Sequence, residues 1–232
     1  LMAGDHDYIK EDSFYRTFRW ATNVTFFDTE EQHCVEIPEK NIFVYGLSFE
    51  HKEVRSPLYD EWKPVNKPGF HVLLAHGGDL SCCPMDFTGL AAAGFDYVAL
   101  GHSHKPHTVC RDKIAYSGSL EPLDRNDLGK HGYIQGEYED GNVKVRLVPC
   151  ANRSYQNLVL NVDRDTTQYK LEEMLRSEVM RRGGRNIYRL ILKGRVSPDN
   201  VLLTERLHGL GNIVEIMDES RPAYKIEELY RQ

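Results

Sequence analysis

The sequence has no long apolar run, no paired-cysteine motif, no low-complexity stretch and no excess of positive charge, and each absence removes a class. The longest apolar runs, such as Val72–Ala75 and Tyr97–Leu100, fall far short of the roughly 18 residues that a membrane-spanning helix needs. The five cysteines, Cys34, Cys82, Cys83, Cys110 and Cys150, are odd in number and contain no C-x-x-C pair. They read as reduced, buried or idle thiols of a cytoplasmic chain rather than as a disulfide framework. Adjacent Cys82 and Cys83 also have the wrong spacing for a structural zinc knuckle. With 29 basic and 35 acidic residues, a formal charge of −6, the chain is not coated with positive charge for nucleic acid, although a local basic groove stays open. Hydrophobic residues at 41% and charged residues at 28% match an ordinary globular chain and exclude disorder. A length of 232 residues predicts one medium domain and a small appendage.

Leu1-Met2-Ala3-Gly4 reads as an apolar strand running into a glycine turn, with no charged leader ahead of it. The expectation is that the sequence is the C-terminal portion of a longer polypeptide.

Between Val24 and Val148 short β-rich runs alternate with turn signals. Strands are predicted at Val24–Phe27, Cys34–Ile37, Asn41–Phe49, His71–Ala75, Tyr97–Leu100, Lys113–Tyr116, Tyr133–Tyr138 and Val143–Val148. The last two flank an Asp140-Gly141 hairpin signal. Helix is sparse in this part: a first-turn stretch after Asp7, and Asp86–Gly94 with Asp86 as cap and Gly94 as stop. After Pro149 the texture changes. A strand at Asn157–Val162 leads to an N-cap at Asp165, with Gln168 three residues on. The helical face Leu171, Met174, Leu175 and Val179 then runs to Gly183-Gly184. A strand at Ile187–Lys193, a helix starting at Ser197-Pro198 and a strand at Ile213–Met217 complete a β-α-β-α-β unit of ferredoxin-like or split-βαβ type. The fold class is therefore α/β (α+β), with domains at 1–150 and 151–232.

Three sites place ligand-forming residues directly after apolar strands. Leu1–Ala3 enters Gly4-Asp5-His6-Asp7, Val72–Ala75 enters His76-Gly77-Gly78, and Tyr97–Leu100 enters Gly101-His102-Ser103-His104. In open α/β sheets ligands bind beyond the carboxyl ends of strands, so the three ends are expected to converge on one pocket. His102 and His104 are two apart, which puts both imidazoles on one side of an extended segment. Asp5 adds a hard oxygen and His76 a third imidazole, a mixture suited to Mn, Fe or Zn rather than Ca. His6, flanked by Asp5 and Asp7, is placed to donate a proton. His33, His51, His71, His107, His131 and His208 read as satisfied or solvated histidines, with His107, which follows the His-x-His loop, the first exception to consider.

At these residues the sequence resembles the calcineurin-like metallophosphoesterases: Gly4–Asp7, Leu74–Gly77 and Gly101–His104 look like that family's third, fourth and fifth motifs. Asp96–His107, Ala115–Glu121, Gly129–Tyr133 and Val148-Pro149 are closer still to the SbcD-type DNA repair nucleases. The resemblance implies a partial β-sandwich with flanking helices over 1–150 and a small capping domain after it. It also implies two divalent ions, with manganese preferred: Asp5, His76 and His102 on one, His104 on the other, His6 assisting the leaving group and Asp7 supporting His6. Two such ions roughly 3.5 to 4 Å apart clamp a phosphate between them. Asp5 stands where the family has asparagine, and the family's first two motifs lie upstream of the third. A site half built in this chain, and little activity from it alone, are therefore expected.

Arg181, Arg182, Arg185, Arg189, Lys193 and Arg195 form the one basic stretch of the chain. Arg189 and Lys193 share a strand face opposite Tyr188, Leu190 and Leu192. DNA contact and a solvated surface offset by Glu172, Glu173 and Glu178 both stay open. Three readings follow. The lead is part of a DNA nuclease that partners an SbcC-type coiled-coil ATPase and is able to form homodimers. The second is a phosphoesterase for a small phosphodiester, and the third a non-catalytic assembly fragment.

Overall fold

The computed structural model describes residues 1–224, so the closing stretch 225–232 of the expected second domain lies outside the described residues. The chain divides into two units, residues 1–120 with 131–150, and residues 121–130 with 151–232. The second unit thus takes in a ten-residue segment that the sequence reading assigns to the first domain.

In the first unit the chain forms a short helix α1 (Phe14–Thr17) and then β1 (His33–Ile37), β2 (Ile42–Gly46), β3 (Phe70–His76), α2 (Phe87–Ala92), β4 (Tyr97–Gly101), β5 (His107–Cys110) and β6 (Ile114–Tyr116). The six strands make one sheet in the order β1-β2-β3-β4-β6-β5. The inner pairs β2/β3, β3/β4 and β4/β6 are parallel and the two edges antiparallel. Alternation along β3 explains the layering. His71, Leu73 and Ala75 are buried while the residues between them are half-buried, so one face packs against a core of Phe43, Tyr45, Leu73, Leu90, Phe95 and Val98. The Asp86 side chain accepts from the Thr88 N–H at the start of α2, which is the expected cap. β7 (Gly132–Glu139) and β8 (Asn142–Pro149) form a separate antiparallel hairpin. Its turn residues Asp140 and Gly141 both take positive φ, 50° and 79°, as a two-residue primed turn requires.

Two expectations in this unit need correction, and one strand was not expected. The segment 24–27 joins no sheet: the Phe27 N–H bonds to the Leu1 carbonyl at 2.9 Å and the Leu1 amino group to the Thr25 carbonyl at 2.7 Å. Leu1–Ala3 is extended but is likewise no sheet strand, held instead by Ala3 N–H to Ser48 Oγ at 2.8 Å and by Phe49 N–H to the Ala3 carbonyl at 3.1 Å. β5, which follows a Lys-Pro pair and pairs only at the sheet edge, has no alternating pattern to betray it.

The second unit holds β9 (Tyr155–Val162), α3 (Gln168–Arg182), β10 (Ile187–Val196), a 3₁₀ turn at Thr204–Leu210, β11 (Ile213–Asp218) and a two-residue β12 (Arg221–Pro222). β10 lies between β9 and β11, and all three are parallel. Leu158, Leu160, Leu171, Leu175, Tyr188, Leu190 and Leu207 form its core. The helix cap is Thr167, whose side chain accepts from the Lys170 N–H at 3.3 Å, not Asp165. Asp165 and Thr166 instead belong to an Asx turn built on Asp163, whose carboxylate accepts from both. The helix expected from Ser197 is replaced by the later 3₁₀ turn, because the Ser197 carbonyl closes a tight turn with the Asn200 N–H at 3.0 Å. No helix among the described residues is long and apolar enough to cross a membrane.

Candidate metal centre

β3 and β4 are parallel neighbours, and His76, the last residue of β3, is the register partner of Gly101, the last of β4. Two strand ends therefore open side by side, and His102 follows directly on the second. His102 is held at φ 92°, a left-handed backbone that a bulky L-residue adopts only where the surroundings enforce it. Asp5 arrives from the segment that follows Leu1–Ala3. A Cβ on Gly4 would lie 2.3 Å from His76 Cε1, so only glycine lets this backbone come so close to the ring.

The three expected ligands do converge. His76 Nε2 lies 2.7 Å from Asp5 Oδ1, and His102 Nδ1 lies 3.5 Å from the same oxygen. With Cys82 they form a group whose ligand atoms all lie within 4.8 Å of one another. The neighbouring protonation states suit cation binding. Burial pushes the Asp5 carboxyl up, but the hydrogen bond with His76 and the charges of His76, His102 and His6 outweigh it, leaving the group below its ordinary value. Burial likewise pushes His76 below its ordinary value despite the pull of Asp5. A carboxylate beside a neutral imidazole is the form in which Asp5 and His76 would ligate. Cys82 differs: burial, with the charges of Asp5, Cys83 and Asp79 adding to it, pushes the thiol up to about 12. The donor set fits a divalent ion with two nitrogens and a carboxylate, and Cys82 stands beside it as a neutral thiol.

The other expected site residues lie around this centre. His6 is 80% exposed, and the carboxylate its ring faces is Asp5, with Nε2 3.8 Å from Oδ2. Asp7 accepts from the Gly4 N–H at 2.8 Å and from the Tyr15 hydroxyl, so it fixes the loop that carries Asp5 and His6. His104 is not one of the four converging side chains, and its carbonyl accepts from the Ser119 N–H at 2.9 Å. The histidines read as structural are engaged elsewhere. His71, for example, is buried between the Tyr45 hydroxyl and the Lys67 carbonyl, both at 2.9 Å, and His107 stacks on Tyr116.

Two residues near the centre were not singled out from sequence, Asp79 and Cys82. Gly77 and Gly78, at φ 110° and 107°, reverse the chain after β3. The Gly78 N–H then bonds back to the Cys82 and Cys83 carbonyls, each at 2.9 Å. This returns Cys82 beneath His76 and sets Asp79 Oδ2 3.0 Å from His102 Nε2. A polar residue three positions beyond a strand-end histidine, across two glycines, was the available signal. A separate apolar cavity of about 790 Å³, lined by Phe70, Tyr97, Tyr133, Ile134 and Tyr138 among others, includes none of these residues.

In the second unit most of the expected nucleic-acid contacts are already paired. Glu178 holds Arg181 at 2.7 Å and Arg182 at 3.0 Å, Arg189 meets Glu215 at 2.7 Å, and Lys193 meets Glu219 at 3.3 Å. Arg185 forms no ion pair among the described residues and lines an open polar groove with Arg153, Asn152, Asn212 and the carboxylate of Glu121.

No family model matches the chain. It is 22% identical over 208 residues to the protein described as "Uncharacterized metallophosphoesterase YhaO" of Bacillus subtilis (strain 168), covering 84% of this chain. The chain spans about half the length of that relative, 50%. The likeness supports the resemblance read from the motifs at the level of the metallophosphoesterase superfamily.

Proposed function

We propose that this chain carries part of the active centre of a metal-dependent phosphoesterase that cleaves phosphodiester bonds, with DNA as its substrate and manganese as its preferred ion. The carrying observation is the meeting of Asp5, His76 and His102, from three strand or loop ends distant in sequence, within ligand distance of one another. When bound there, a divalent ion supplies charge neutralisation for a phosphate and lowers the pKa of water. The residues of the chain do the rest. Asp5 and the two imidazoles hold the ion, Asp7 and Tyr15 fix the loop, and exposed His6 is free to reach a leaving-group oxygen and give it a proton. In this reading His104 serves a second ion, and an SbcC-type ATPase engages the whole protein.

The motif likeness, continuous over nearly all of residues 1–150, and the separate α/β unit after it support the nuclease over a small-phosphodiester enzyme. The test is manganese-dependent hydrolysis of linear duplex DNA and of an aryl phosphodiester, with metal stoichiometry measured on the same samples and His102→Ala as control. Metal bound by the chain and lost in the control is the expected result. Equal metal binding by the control would remove the basis of the reading, and hydrolysis of the aryl ester with DNA left intact would turn it to the small-substrate alternative.

A further inference from the structure

We infer that Asp79 is a positioning residue that fixes the tautomer of His102, turning the Nδ1 lone pair toward Asp5 and His76. The inference rests on the reading of those three residues as metal ligands and adds what holds one of them in its working form. His102 presents its two ring nitrogens to different partners: Nε2 lies 3.0 Å from Asp79 Oδ2 and Nδ1 3.5 Å from Asp5 Oδ1. In a neutral imidazole one nitrogen carries the proton and the other a lone pair. Both facing carboxylates only accept and a neutral ring has one proton to give: it goes to the nearer, Asp79 Oδ2, while Asp5 Oδ1 is already met by His76 Nε2 at 2.7 Å, so Nδ1 is left bare on the side where Asp5 and His76 converge. A carboxylate behind a ligating histidine does this in metal centres generally, by fixing both ring orientation and tautomer.

Asp79 is itself prevented from turning away. Its other oxygen, Oδ1, accepts from the Ser81 N–H at 2.7 Å, the Ser81 hydroxyl at 2.6 Å and the Cys82 N–H at 2.9 Å. Three donors on Oδ1 leave Oδ2 as the oxygen that faces the ring. The glycine reversal at Gly77-Gly78 and the left-handed backbone of His102 bring the two groups together from separate loops, 23 residues apart.

This arrangement makes an unusual prediction for Asp79→Asn. The three donors at the Oδ1 position demand an oxygen, so the amide oxygen takes that place and the NH₂ falls where Oδ2 was. A donor then faces Nε2, which must accept, and the ring proton moves to Nδ1, against the ligand centre. The test is long-range ¹H–¹⁵N NMR of histidine-labelled, metal-free protein at a pH where the imidazoles are neutral, joined to zinc titration by calorimetry. For wild type we expect His102 protonated at Nε2. For Asp79→Asn we expect it protonated at Nδ1, with zinc affinity lowered by about 10- to 100-fold, the usual loss for an outer-shell partner. Ser81→Ala, which removes one donor to Oδ1 and leaves Oδ2 in place, keeps the wild-type tautomer, and Asp79→Glu restores part of the affinity. An Nε2-protonated ring in Asp79→Asn, or an Nδ1-protonated ring in wild type, overturns the inference. Because the tautomer is read without metal, it stands or falls separately from the metal reading, which the wild-type zinc titration decides.

Discussion

Substituting alanine at Gly4 aims one methyl group at one ring. The new Cβ would sit 2.3 Å from His76 Cε1, 2.5 Å from Nε2 and 2.7 Å from Nδ1, where ordinary contact begins at 3.4 Å. The ring must therefore retreat by about 1 Å, or the Gly4 backbone must move by as much. Either shift separates His76 Nε2 from Asp5 Oδ1, now 2.7 Å apart, beyond the range of a good hydrogen bond. Because Gly4 is not among the residues with positive φ, the clash and not backbone strain sets the cost, about 1 to 3 kcal/mol of stability on the scale of overpacked sites. On the proposed reading of His76 as a ligand, displacing it costs metal affinity at least as much as losing an outer-shell partner, about 10- to 100-fold. Urea unfolding and zinc calorimetry on Gly4→Ala read the two effects. Gly184→Ala, whose Cβ would meet nothing within 4 Å, serves as control and should stay within about 0.5 kcal/mol of wild type. Wild-type zinc affinity in Gly4→Ala would refute the placement of the Gly4 backbone against the His76 ring and, with it, the convergence of Asp5 and His76.

Leu190→Ala, at a fully buried position of β10, should cost the second unit about 2 to 5 kcal/mol, seen as an earlier thermal transition with no change in zinc affinity; an unchanged transition would contradict the core assignment. If that unit binds DNA, each phosphate contact contributes about 0.9 to the slope of log affinity against log salt. Arg185→Ala should lower the slope of duplex binding, read by fluorescence anisotropy across a salt series, by about that amount, and Arg189→Ala, already tied to Glu215, should leave it unchanged. Equal losses in both would show that the Arg189 pair opens for phosphate.

The fold was most legible where one physical pattern acted alone. The strands β3 and β4 carry short, mostly buried apolar runs closed by histidine and by glycine, and the hairpin carries Asp-Gly at a turn that demands positive φ; these places follow from sequence. The errors arose where two local signals competed. Asp165 and Thr167 both have capping side chains three residues before a suitable acceptor or amide. What decides between them is Asp163, whose carboxylate draws Asp165 and Thr166 into its own turn and leaves Thr167 to face the helix. Ser197-Pro198 carries a helix-start signature, yet the run after it lacks an apolar face long enough to hold a helix on the sheet, and Leu207 alone is buried there.

The side chains that converge were legible in the sequence but their support was not, and the difference is one of range. Asp5, His76 and His102 each come soon after a short apolar run in the sequence, so a rule about strand ends found them one at a time, although the run before Asp5 is not a sheet strand. Asp79 and Cys82 owe their places to a chain reversal whose course depends on Gly77 and Gly78 and on the N–H bond from Gly78 to the carbonyls of Cys82 and Cys83. The same consideration governs the basic stretch. Its charge is visible in sequence as six cations without an intervening acid, but Glu178 stands one turn earlier on α3 and Glu215 and Glu219 lie on or just beyond a neighbouring strand. A run of like charge along the chain is thus mostly paired across it, and a cation such as Arg185, which forms no ion pair among the described residues, is the one left to meet a partner.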